Sequence, residues 1–204
     1  TSIGNATVTT TSGTGSIVLR SVHNYDATGT LRLDQGADAD ATTGGGSLVL
    51  GAAGAYAEAD ATATAFAGIA AGATLNAGAD VIVVSLVNND AESNTSGYGF
   101  GAIGVGVSLA YATAGNPRAA GSLTAPISST IGAGEITAGR NVEVISNSYN
   151  DAFVDSLAVS GGIASGRGNV GEAKVAPDVA SAISGTVRAR GRITVGATAT
   201  VTGD

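Results

Sequence analysis

The chain has 204 residues and a formal net charge of −7, from 9 Lys and Arg against 16 Asp and Glu, and it contains no cysteine and no tryptophan. Scattered, net acidic charge disfavours nucleic acid or an anionic membrane surface as partner, since both need a basic patch, and without cysteine there is no disulfide, thiolate metal site or cysteine nucleophile. With 32 glycines and only 5 Tyr and 3 Phe as aromatic residues, the interior must be filled by Ala, Val, Ile and Leu, which suits thin, repetitive packing better than a bulky core.

In chain order, four related stretches stand out: residues 3–27, 69–91, 131–152 and a shorter one at 183–201. Each begins with Ile, passes a glycine, a short β-type run, a second glycine and a β-branched run, and the first three end in an Asn/Asp-rich corner. Aligning Ile17, Val81, Val142 and Ile193 gives spacings of 64, 61 and 51 residues. A fixed period of tens of residues is the signature of a solenoid or array. The reading is one elongated all-β domain, residues 1–204, of about four units at 1–66, 67–128, 129–180 and 181–204. A first residue inside a repeat-like run suggests an excised or mature segment of a longer chain.

In the first unit, threonine-rich sequence leads into Ile17, Val18 and Leu19, and His23, Asn24, Tyr25 and Asp26 form the first corner. His23 is the only histidine, which excludes His-His metal pairs and leaves it as a turn residue. Leu31 and Leu33 mark a short strand, and residues 36–46 read as a polar connection. From residue 53 to 67 every odd position is alanine, and from Tyr56 the even positions carry Tyr, Glu, Asp, Thr, Thr and Phe. Period-two alternation sends these sets to opposite faces of a strand. A helix is the rival, but Thr62 and Thr64 weaken it. An all-alanine face lets another layer approach more closely than the ~10 Å usual for stacked sheets.

The second unit repeats the logic. Beyond the corner at Asn88, Asn89 and Asp90, Ile103, Val105, Val107, Leu109 and Tyr111 share one face, and Gly104, Gly106, Ser108, Ala110, Ala112 and Ala114 the other. Pro117 ends this run and Pro126 precedes the third unit, both at positions that suit turns or edges. In the third unit, Gly161, Gly162, Gly166, Gly168 and Gly171 imply tight bends or bulges. The fourth ends in a strand pattern at residues 186–204 with no closing cap, and such a strand pairs readily with a neighbour.

No catalytic, cofactor-binding or metal residue is assigned. The corners align Asp26, Asp90 and Asp151, with Asn24, Asn88 and Asn150 nearby. Oxygen side chains repeated in this way are the one arrangement compatible with calcium, although Asn and Asp favour turns on their own account. The glycine-rich pieces 44–51 and 166–171 lack a phosphate-loop pattern. The carboxylate pairs Asp38 with Asp40 and Glu58 with Asp60 each share a strand face, but lack flanking aromatic residues to hold a sugar. Arg188, Arg190 and Arg192 read as one solvated strand face. The threonine pairs at 7 and 9, 62 and 64, and 198 to 202 fall at inequivalent places in the repeat, so β-propensity accounts for them.

The run I-x-A-G-x-N-V-x-V at residues 136–144, followed by the Asn150, Asp151, Ala152 corner and an Ala/Gly alternating strand, resembles the filamentous-haemagglutinin-like adhesins and related β-strand-repeat surface exoproteins of bacteria. The resemblance implies a right-handed parallel β-solenoid at the cell surface or in an extracellular matrix. The units here are longer than the family's coil of roughly 20 residues, so each holds two or three coils or forms one broad coil. The expected function is a non-enzymatic stalk or filament subunit that associates with itself end to end or within a longer parent chain. The alternative is an adhesin module binding glycan, calcium or a host-surface ligand along one face. No apolar run reaches the ~20 residues of a membrane-spanning helix, and missing aromatic girdles argue against an outer-membrane barrel.

Overall fold

The computed structural model describes residues 1–26, 28–122 and 124–202; Ala27, the last residue of the first repeat copy, and Gly203 and Asp204, which end the terminal strand pattern, lie outside the described residues. The described chain is all-β, without a helix, and every pairing between its named strands is parallel.

Sixteen strands form four sheets among the described residues. Two sheets contain short strands. The first is ordered β1 (Ser2–Ile3), β6 (Ala65–Ile69), β10 (Ile127–Ile131) and β14 (Val179–Ile183). The second is ordered β2 (Thr7–Thr9), β7 (Thr74–Ala77), β11 (Glu135–Ala138) and β15 (Thr186–Ala189). The third is ordered β3 (Ile17–His23), β8 (Val81–Phe100), β12 (Val142–Gly161) and β16 (Ile193–Thr202), with β4 (Ala37–Gly46) alongside the second half of β8. The fourth is β5 (Leu50–Ala61), β9 (Ile103–Ala114) and β13 (Ala164–Val175). The second and third units therefore each contribute one strand to every sheet.

Register explains the uneven spacing. Ile17 pairs with Val81, Val81 with Val142 and Val142 with Ile193, the same alignment that the repeat gives. By β4 the partner offset has changed, because residues 24–36 stand in the first unit where residues 88–90 stand in the second. Likewise residues 115–126 join β9 to β10, whereas residues 176–178 suffice between β13 and β14. Insertions sit in connections and leave the ladders intact.

The core is a set of aliphatic columns. Ile3, Ile69, Ile131 and Ile183 stack through the first sheet, Val8, Leu75, Ile136 and Val187 through the second, and Leu19, Val83, Val144 and Val195 through the third. Together with Ile17, Val81 and Val142, and leaving out Val195 on the terminal strand, they form one apolar cluster. Ile136 is fully buried at its centre, so Ile136→Ala is expected to cost about 2–5 kcal/mol, read as a lower urea midpoint at unchanged slope.

Beyond this core β4 and the second halves of β8 and β12 pack on β5, β9 and β13 through small residues. Ala55, Ala57 and Ala59 are buried while Tyr56, Glu58 and Asp60 face out, as strand alternation requires, although β5 stops at Ala61 and the chain resumes as β6 at Ala65. Gly104, Gly106, Ser108, Ala110, Ala112 and Ala114 form the inward face of β9 and leave Ile103, Val105 and Val107 exposed. A Cβ at Gly97 would sit 2.6 Å from the Val107 carbonyl oxygen, and one at Gly106 2.6 Å from that of Val159. No real Cβ approaches so closely, so the two layers meet backbone to backbone, thinner than an ordinary sheet pair. At the far end of this arm the turns leave Leu48 and Ile163 almost fully exposed.

Several features of the sequence reading are corrected. Residues 37–46 are no polar connection but strand β4, paired in parallel with β8. Leu31 and Leu33 mark no strand, Leu31 making only an isolated bridge. Gly166, Gly168 and Gly171 lie inside the unbroken strand β13 and not at bends. Asn88 to Asp90 and Asn150 to Asp151 form no corner: they lie inside the unbroken 20-residue strands β8 and β12. At this place among the described residues the chain turns in the first unit, where Asn24 adopts a left-handed φ of 55° and Tyr25 bridges antiparallel to Leu31.

Candidate functional site

The three aspartates aligned by sequence do not share one environment. Asp26 Oδ1 accepts the Thr28 and Thr30 backbone N–H groups at 2.8 Å each and the Thr28 hydroxyl at 2.6 Å, and these bonds hold its pKa below the ordinary value. It is a turn residue. Asp90 and Asp151 are register partners on the outward face of neighbouring strands, and Gly36, not Asp26, packs beside Asp90 in the first unit. Among the described residues no group of three His, Asp or Glu side chains is placed to hold a metal ion.

Burial, and then the charges of Asp151, Asp38 and Glu92, push the Asp90 pKa upward from 3.8. Folding thus favours its protonated form, a contribution fully present below the ordinary carboxylate value and lost as pH rises through the folded one. Asp90→Asn is expected to raise the melting temperature at neutral pH, and the gap from the parent should close on acidification. A gap independent of pH would show that ionisation of the half-buried Asp90 carboxyl is not the cause.

Asn88, Asn89 and Asn150 are buried in the sheet interior, not at a surface turn. Asn89 Oδ1 accepts the Ala63 N–H at 2.8 Å where β5 has ended, its Nδ2 donates to Asn150 Oδ1 at 2.9 Å, and Asn150 Nδ2 donates to the Thr200 carbonyl at 3.3 Å. Asn88 Nδ2 donates to the Arg32 carbonyl at 2.7 Å. This polar seam runs along the stack where the aliphatic core meets the thin arm. Serines do similar work nearby: Ser85, Ser129, Ser146 and Ser181 each donate a hydroxyl to a backbone carbonyl across the interior.

His23 ends β3 and borders a cavity of about 450 Å³ with Asn24, Gln35, Asp60 and Asp90. Asp38 and Asp40 share the exposed face of β4. Glu58 and Asp60 share that of β5, but the expectation that aromatic residues are missing there fails: the Tyr56 hydroxyl donates to Glu58 Oε2, and the Tyr56 and Tyr111 ring centroids lie 5.8 Å apart. Arg188 alone belongs to a strand; Arg190 and Arg192 lie in the turn before β16. Arg188 and Arg190 flank a groove of about 480 Å³ lined also by Gly13, Gly78 and Gly139. The glycine-rich pieces fall around the β4–β5 turn and inside β13, and no helix of the described residues is long and apolar enough to cross a membrane.

The most distinctive geometry is at the stack's end. Val142 and Val144 are 0% exposed, whereas their register partners Ile193 and Val195 are each 47% exposed. The same columns that are sealed in the middle of the stack are half-open on β16.

No family model, curated protein or solved structure matches this chain. The functional reading therefore rests on the open columns, the free strand edges beside them and the surface groups described above.

Proposed function

We propose that the chain is a non-enzymatic structural protein: a right-handed parallel β-solenoid that serves as a stalk or filament subunit of a bacterial surface, adhesin-type system and extends by stacking further units on its open strands. The observation that carries this reading is the half-exposure of Ile193 and Val195 beside fully buried partners. Another parallel strand laid on β16 would remove that apolar surface from water and pair a free backbone edge at the same time. The unit supplying it belongs to a second copy or to a longer parent chain.

Two further features support end-to-end addition. Successive units pair in register, so a head-to-tail contact repeats without closing, as filament growth requires. The first unit carries Asp26, Asp34, Asp38, Asp40, Glu58 and Asp60 against Arg20 and Arg32, while the last carries Arg188, Arg190 and Arg192 against Asp204. Opposite charge at the two ends steers encounter head to tail and disfavours like ends.

Sedimentation velocity across a range of concentrations tests the proposal. Species that lengthen as concentration rises, with an axial ratio growing alongside mass, are expected. A single monomeric boundary at every concentration would overturn self-stacking between copies.

A further inference from the structure

The outward face of β5, β9 and β13 carries a built cavity that the assembly reading does not use. Register places Glu58, Tyr111 and Glu172 side by side, with Tyr56, Leu109 and Val170 in one flanking row and Asp60, Thr113 and Lys174 in the other. Tyr56, Glu58, Tyr111, Thr113, Glu172 and Lys174 line a cavity of about 350 Å³. The two tyrosine rings are tilted at 44° to each other, and the Tyr56 hydroxyl is tied to Glu58, which fixes the ring in place.

We propose that this cavity binds one sugar residue of a neutral glycan. The chemistry of the lining selects that class. Two carboxylates oppose an anionic ligand, and the Lys174 ammonium opposes a cationic one. An uncharged polyol satisfies both: its hydroxyls donate to Glu58 and Glu172 and accept from Lys174, while its C–H face lies on an exposed tyrosine ring. A site of this volume holds a single ring plus its linkage atoms. Because residues from three successive units build it, a stacked array would present such sites at intervals along its length and bind a polymer through many weak contacts.

The proposal is independent of self-stacking and is tested on the whole chain by titrating neutral oligosaccharides (gluco-, manno- and N-acetylchito-hexaoses) in isothermal calorimetry, with choline and polygalacturonate as charged probes. Saturable binding of a neutral oligosaccharide is expected. Tyr111→Ala and Glu172→Gln should each weaken it about ten-fold, equivalent to ~1.4 kcal/mol, whereas Asp38→Asn on the opposite sheet should leave it unchanged. Glu172 is exposed on β13, so Glu172→Gln should keep the parent melting temperature and tests the site even if the tyrosine variant loses stability. Failure of every neutral oligosaccharide to bind, binding unaffected by Glu172→Gln, or preference for either charged probe would overturn the proposal.

Discussion

Asn89→Ala is expected to destabilise the fold by about 2–4 kcal/mol, because it removes the acceptor for the Ala63 N–H and the donor to Asn150 at a site with no exposure to solvent. Residues 62–64 are where the chain leaves the arm sheet for the short sheet, and their backbone has no ladder partner there. A buried N–H in that position must be satisfied, and Asn89 does it with one oxygen while extending the seam to the next unit with its nitrogen. Asn89→Leu tests the same point differently: the larger apolar side chain fills the space but still orphans Ala63, so hydrogen bonding predicts a loss for both variants. Urea denaturation followed by circular dichroism measures it. A near-neutral result for Asn89→Leu would mean that volume, not hydrogen bonding, is what the seam requires.

Val195→Pro is expected to abolish association while leaving the monomer folded. The Val142 N–H donates to the Arg192 carbonyl at 2.9 Å, so in a parallel ladder the N–H groups of Thr194 and Gly196 point toward β12 and those of Ile193 and Val195 toward the free side. Proline at 195 removes an outward donor and places its ring where an incoming strand would lie, and proline is tolerated at an edge. The effect on stability should be small against the effect on association. Association unchanged in Val195→Pro would show that β16 is not the joining edge.

Much of this fold is legible in the sequence. The pairing of Ile17, Val81, Val142 and Ile193 follows from repetition alone, since identical side-chain patterns in stacked units bury the same faces. The alanine alternation of residues 53–61 declares a strand because only period two keeps methyl groups on one side. What was not legible has a physical reason. Asn and Asp favour turns when the chain is exposed, so Asn88 to Asp90 read as a corner; in the stack Asn89 and Asn150 are buried amides that bond from unit to unit, which composition cannot distinguish from a turn. The Tyr56–Tyr111 pair was missed because glycine- and alanine-rich strands carry little register information. Only the structural offset between β5 and β9, which differs from that between β3 and β8, brings Glu58 beside Tyr111.

The most direct measurement of the stacking account is cryogenic electron microscopy of the purified chain at rising concentration, with diffraction from any fibres. Strands perpendicular to the fibre axis, spaced about 4.8 Å along it, with one copy of four layers adding about 19 Å of length, are the expected result. Short dispersed particles at every concentration, or fibres whose strands run along the axis, would contradict it.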